Sequence, residues 1–273
     1  MDKQIGKEVT LLCIVSLIAS IGFFAREWLF AYDSYFFVSF SRHLVPFNSH
    51  YFGFSFVLGY LPESFLVFEL LMFLCLFVSV LGLYFGLRQV FSQSTSFLAT
   101  LICLAGAPVM IFSFAQFQNE LFSYPFIFWS FYCLMKKERF FSWYALAFAL
   151  CGAFFWLGSL VWVGVIAFGL IIPFIIALIV GSSYFMTNVG YAFGKIDGVA
   201  FNTPFFGLID FFLLLPFVFG VFLVKNRRWQ AWTLVALVCV CLSARYEILL
   251  IPSIGLGTGV FLDKAKNKGW LVD

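Results

Sequence analysis

Charge is what this sequence has least of. Asp, Glu, Lys and Arg together supply 11% of the 273 residues, where a soluble domain carries about 25%. That scarcity excludes a soluble globular protein, a disordered chain and a coiled coil. The net charge is only +3, with no basic run or face, so there is no footprint for a nucleic-acid partner. Histidine occurs twice, at His43 and His50. Neither has a neighbouring ligand pair at metal-site spacing, so both read as interfacial polar residues. The cysteines Cys13, Cys75, Cys103, Cys133, Cys151, Cys239 and Cys241 match no zinc spacing. All lie in apolar stretches, where a reduced thiol behaves as a small hydrophobe.

What remains is apolar bulk. Hydrophobic residues reach 63%, aromatics 22%, phenylalanine alone 42 residues, and mean hydropathy is +1.04. Apolar runs this long define a polytopic membrane protein. The run Val9–Phe24 has no small-residue cleavage site before the next charges, so it reads as a retained first helix, extending over 9–29, rather than a removed signal peptide. Further spans are expected at Ser64–Leu87, Thr95–Phe114, Leu121–Met135, Phe141–Leu157, Leu160–Val180, Phe206–Val224, Trp229–Ser243 and Ile248–Leu262. The expected fold is all-α, a single transmembrane bundle of about nine or ten spans over 1–273, with residues 30–63 as a long first external loop and 64–266 as the remaining bundle.

Basic loops stay cytoplasmic. Twelve of the sixteen basic residues fall in five groups: Lys3 and Lys7; Arg88; Lys136, Lys137 and Arg139; Lys225, Arg227 and Arg228; Lys264, Lys266 and Lys268. With these inside, both termini are cytoplasmic, and Ala31–Glu63, Gln118–Glu120 and Ala244–Glu247 are external. Leu160–Val180 and Phe206–Val224 must then both run inward, so something in Gly181–Phe205 returns the chain outward. A short or re-entrant crossing, or a misplaced boundary within Phe141–Val180, satisfies that parity. Ala31–Glu63, rich in Phe and Tyr with Asp33, Arg42, His43 and His50 interleaved, suits helices lying in the interface.

Charges at or within a membrane mark candidate function. Asp33 follows the first helix, Glu120 opens the fourth, and Arg245 and Glu247 precede the last, all on the expected external side. Paired carboxylates can hold a divalent cation, and an arginine fork can clamp phosphate. The plain alternative is that these residues mark helix ends, with Arg245 and Glu247 a local pair. Glu63 and Asp210 fall near helix ends. Glu69 is deeper, as a packing or a pathway residue.

In motif order the chain resembles the membrane core of the catalytic subunit of oligosaccharyltransferase, a GT-C glycosyltransferase. Asp33-Ser34-Tyr35-Phe36-Phe37 followed by Arg42 looks like that family's first external motif. Gln118-Asn119-Glu120 stands where its second acidic motif stands, and the helix after it ends in Lys136-Lys137-Glu138-Arg139-Phe140-Phe141. Trp156-Leu157-Gly158-Ser159 resembles the Trp-rich turn, and Arg245-Tyr246 with Pro252 the Arg-Phe and proline pair. The likeness covers roughly residues 9–266, each motif being weak alone. Gln118 replaces an acidic ligand, the late external glutamate has no clear counterpart near Thr187-Asn188-Val189, several middle helices have no counterpart, and the soluble domain with its Trp-Trp-Asp motif is not in the sequence.

The resemblance implies transfer of a glycan from a polyprenyl (di)phosphate to a protein or lipid acceptor on the external or lumenal face. Asp33 and Glu120 would be catalytic metal ligands and Gln118 a weak carbonyl ligand, with a divalent cation (Mn or Mg) weakly held. Arg245, and secondarily Arg42, would bind the lipid diphosphate, while Glu247 has no role. Partners implied are a polyprenyl-linked glycan, membrane lipid and a separate acceptor-recognition subunit. Two other readings stand beside it. One is a non-catalytic subunit that binds a lipid-linked glycan, favoured by Gln118. The other is a transporter or scaffold, for which Glu69 and Gly181–Phe205 would mark a path although no internal repeat is visible.

Overall fold

The structure, a computed structural model, describes residues 3–24, 57, 60, 64–106, 119–136, 139–155, 159, 220–223, 229–230, 232–234, 236–237 and 248–267. Among these residues every regular element is helical: α1 (Lys3–Phe24), α2 (Phe65–Leu87), α3 (Gln93–Gly106), α4 (Asn119–Met135), α5 (Arg139–Phe155), a 3₁₀ turn at Val221–Leu223, and α6 (Ile251–Asn267). Among the described residues three segments are long and apolar enough to cross a membrane: Gln4–Ile21, Phe65–Leu87 and Ile248–Asn267. The 23 residues of α2 rise about 35 Å, slightly more than a bilayer's hydrocarbon core of about 30 Å.

Observed boundaries follow the apolar runs, with informative departures. The first helix begins at Lys3 rather than near Val9, because Lys3, Lys7 and Glu8 wind onto its first turns. The helix expected from Thr95 begins at Gln93, and its described part ends at Gly106. Ile248–Leu250 form a 3₁₀ turn before α6, where Pro252 occupies the second position and its missing N–H costs nothing. Ser64 enters α2 in extended conformation without a side-chain cap bond. Its carbonyl accepts the N–H groups of Val67 and Phe68 instead. The expected span at Leu160–Val180 and the return segment Gly181–Phe205 lie outside the described residues. The Ala31–Glu63 loop does too, apart from Val57 and Tyr60. Of the described thiols, Cys75, Cys103 and Cys133 are buried, Cys13 is half-buried and Cys151 on α5 is exposed.

The chain divides into two compact units, Met1–Val90 with Met110–Leu160, and Phe91–Val109 with Val161–Asp273. In the first, α4 is the hub. No residue from Glu120 to Lys136 is exposed, and α4 packs on both α2 and α5. A Cβ on Gly82 would stand 2.9 Å from the Phe128 carbonyl carbon, and one on Gly86 would meet the Phe131 ring and, at 3.4 Å, the Tyr132 Cα. Only glycine lets backbones approach so closely. Both sequences advance together through these contacts, so α2 and α4 run parallel. The Trp129 indole N–H donates to the Val78 carbonyl at 3.1 Å and locks the register.

Helix α5 returns antiparallel. Ser130 Oγ donates to the Ala145 carbonyl at 2.8 Å, while Gly152 faces Ser123 and Phe126 further along. Ala145, Ala149 and Gly152 form its buried stripe. Leu12, Ser16 and Ser20 make a similar stripe on α1, which packs on α2. The opposite sides of these helices carry exposed Leu11, Ile14, Ile18, Leu66, Leu70 and Trp143. Apolar side chains facing outward at helical spacing are what a lipid-solvated bundle requires.

The second unit is built on α6. Thr95 Oγ1 donates to Asp263 Oδ1 at 2.9 Å, and Cys103 Sγ lies 4.0 Å from the Ile251 carbonyl, so α3 and α6 are antiparallel. All ten residues of Ile251–Val260 are buried. Gly257 lies against Gly220, where an added Cβ would come within 3.0 Å of the Gly257 Cα. Trp232 donates to the Leu249 carbonyl at 3.2 Å and Thr233 to Ser253 at 2.9 Å.

Candidate functional site

The sequence points to Asp33, Gln118, Glu120, Arg42 and Arg245. Of these only Glu120 lies within the described residues; the other four fall outside them. Glu120 is the acidic residue of the first turn of α4, where the positive end of the helix dipole favours a carboxylate. It is 7% exposed.

The register of α2 and α4 sets its depth. Gly82 pairs with Phe128, so eight residues back along α4, Glu120 stands level with about Leu74. That point is about 13 Å from the start of α2, near the middle of the helix. The residue expected at a membrane face therefore sits beside the central part of a helix long enough to span. A buried carboxylate is costly without compensation, and polar positions follow it along α4.

Three residues on, Ser123 shares a short hydrogen bond with Ser159, and both hydroxyls are buried. Gly152 makes the space. A Cβ there would stand 3.1 Å from the Ser159 hydroxyl and 3.2 Å from that of Ser123. Glu120 and Ser123 occupy neighbouring positions on one side of α4, as residues three apart do. Pro125, inside the same helix, cannot donate to the Leu121 carbonyl, which weakens the helical ladder one turn from the carboxylate.

Nothing in the sequence marks Ser123, and Ser159 stands out only as the end of a Trp-containing turn. No spacing signal joins positions 36 residues apart; only the antiparallel α4–α5 pair brings them together. Glu69, the other buried acidic residue among the described residues, lies in α2. Position 69 is about 140° around the helix from Gly82, so it is on a different side from the α4 contact.

Chemically, the patch offers one carboxylate and two hydroxyls. These are hard oxygen donors of the kind Mg²⁺ and Mn²⁺ prefer, but they carry a single negative charge. Among the described residues no group of three His, Cys, Asp or Glu side chains is placed to hold a metal. No protein-family model, curated protein or solved structure matches the chain.

Proposed function

We propose that the chain is a GT-C-type membrane glycosyltransferase that moves a glycan from a polyprenyl (di)phosphate to a protein or lipid acceptor. The supporting observation is Glu120, a buried carboxylate at the N-terminus of the hub helix, level with the middle of a membrane-length neighbour. A membrane protein keeps an ionisable group at such depth for function. Low polarity around it strengthens its electrostatic interactions.

In this reading Glu120 and Asp33 provide anionic oxygen ligands to a divalent cation and Gln118 a neutral carbonyl. When bound, the cation supplies Lewis-acid stabilisation of charge on the departing diphosphate. Arg245, with Arg42, holds that diphosphate through guanidinium forks. The Ser123–Ser159 pair fixes the first turns of α4 against α5 and so positions Glu120.

Transfer from a polyprenyl-diphosphate sugar to an acceptor peptide, measured in proteoliposomes, tests the reading. Glu120→Gln keeps the shape and removes the charge. The expected result is a loss of transfer of about a hundredfold or more with unchanged thermal stability. Transfer at the wild-type rate overturns the assignment of Glu120. The neutrality of Gln118, Ser123 and Ser159 favours a second reading, a non-catalytic subunit that binds the lipid-linked glycan. It predicts donor binding that survives in a chain without any transfer activity.

A further inference from the structure

We propose that the α2–α4 seam binds an anionic phospholipid, its phosphate held between Arg88 and Lys136 and an acyl chain lying on Phe85, Trp129 and Tyr132. The inference is independent of the proposed catalytic role, because it concerns the opposite end of α4 from Glu120.

The parallel pairing of α2 and α4 brings together two helix ends that each carry a cation. Gly86 packs against Phe131 and Tyr132. Arg88 lies two residues beyond Gly86 and Lys136 four beyond Tyr132, so both stand at neighbouring helix ends. Both are half-buried, as are Phe85, Trp129 and Tyr132. The three rings form one wall. Phe85 lies 6.2 Å from Trp129 and 6.3 Å from Tyr132, and Trp129 meets Tyr132 edge-on at 5.4 Å. The Trp129–Val78 hydrogen bond fixes the wall to α2. Lys136 Nζ sits over the Tyr132 ring, 5.4 Å from its centroid, so a cation caps the apolar surface directly.

The order of groups along the seam is that of a lipid: cations at the helix ends, then aromatic surface continuing about 10 Å toward mid-helix. Lys3, Lys7 and Arg139 belong to the same end of this unit, because the α1 N-terminus meets the α2 C-terminus through Glu8 and Tyr84 and α5 begins beside the end of α4. Lys137 adjoins them in sequence, against Asp2 and Glu138. Glu8 accepts the Tyr84 hydroxyl, and Arg88 interacts with the same phenol. A phosphodiester monoanion therefore complements the charge at this end. A zwitterionic headgroup brings its own cation into a basic site and fits worse.

The test is native mass spectrometry of the detergent-purified full chain titrated with phosphatidylglycerol or phosphatidylcholine. Wild type should retain phosphatidylglycerol about tenfold more strongly, with the preference falling as salt rises. Arg88→Gln with Lys136→Gln should abolish the preference. Lys264→Gln with Lys266→Gln, an equal charge loss in the other unit, should leave it intact. Equal binding of the two lipids, or equal loss in both double variants, overturns the proposal. If the first double variant does not fold, Lys136→Gln is compared with Lys136→Arg: the preference should fall in the former and persist in the latter. Identical values in that pair also overturn it.

Discussion

Gly82 packs directly on the backbone of Phe128, close enough that a Cβ would stand 2.9 Å from the Phe128 carbonyl carbon. A backbone obstacle cannot rotate away as a side chain can, so one helix must move. Gly82→Ala should therefore destabilise the α2–α4 pair by about 1–3 kcal/mol, the usual cost of overpacking, although alanine is the better helix former. Thermal unfolding in detergent followed by circular dichroism measures it. An unchanged or raised midpoint would show that the two helices do not meet at this register.

The Ser123–Ser159 bond joins two hydroxyls buried beside Gly152. Removing either one leaves the other to lose its partner, at roughly 1–2 kcal/mol. Removing both leaves neither hydroxyl to satisfy. Ser123→Ala and Ser159→Ala should each lower stability, and the double variant should cost less than the sum. A double-mutant cycle on unfolding free energies reads the coupling. Strict additivity would mean the two hydroxyls do not interact.

Much of the bundle is legible in the sequence because hydrophobic length is a bulk property. Phe65–Leu87 stands within one residue of the run read from hydropathy, since few competing charges interrupt it. The grouping of helix ends within the first unit is legible as well. Lys3, Lys7, Arg88, Lys136 and Arg139, grouped from sequence alone, fall at one end of that unit through the helix pairings. Burial is less legible. Leu12, Ser16 and Ser20 form the inner face of α1 while Leu11, Ile14 and Ile18 point outward. In lipid no polarity difference forces apolar side chains inward, so composition does not distinguish the faces. The depth of Glu120 was hidden for a related reason. Its place depends on the offset between α2 and α4, which Gly82 and Phe128 set across distant sequence.

Tyr84 is fully buried and donates its hydroxyl to the Glu8 carboxylate, which ties α2 to α1. A hydrogen bond to a charged acceptor contributes about 1.5–3 kcal/mol. Tyr84→Phe keeps the ring and removes the bond, so the unfolding free energy should fall by about that amount. Glu8→Gln retains a carbonyl acceptor and should cost less. Chemical denaturation of both variants in mixed micelles gives the comparison. No loss in Glu8→Gln would show that the charge on Glu8 contributes nothing to the pair.

The final prediction concerns the depth of Glu120. Its sequence position, just after Gln118-Asn119, reads as the exposed beginning of a helix. The structure gives it 7% exposure, and the Gly82–Phe128 register sets it level with about Leu74, beside the middle of α2. These placements differ in what a thiol at position 120 would meet. At a helix end a charged, membrane-impermeant methanethiosulfonate reaches it freely; at mid-span it must cross packed side chains or a narrow polar path. In a cysteine-free background, Glu120→Cys should therefore react much more slowly than Gln89→Cys, whose parent side chain is exposed at the end of α2. Cysteine is smaller than glutamate and uncharged as a thiol, so the substitution itself should not force the site open. Added polyprenyl diphosphate should slow the reaction further if Glu120 lines the donor site. Labelling at the Gln89→Cys rate would return Glu120 to the surface and remove the depth on which its proposed role rests.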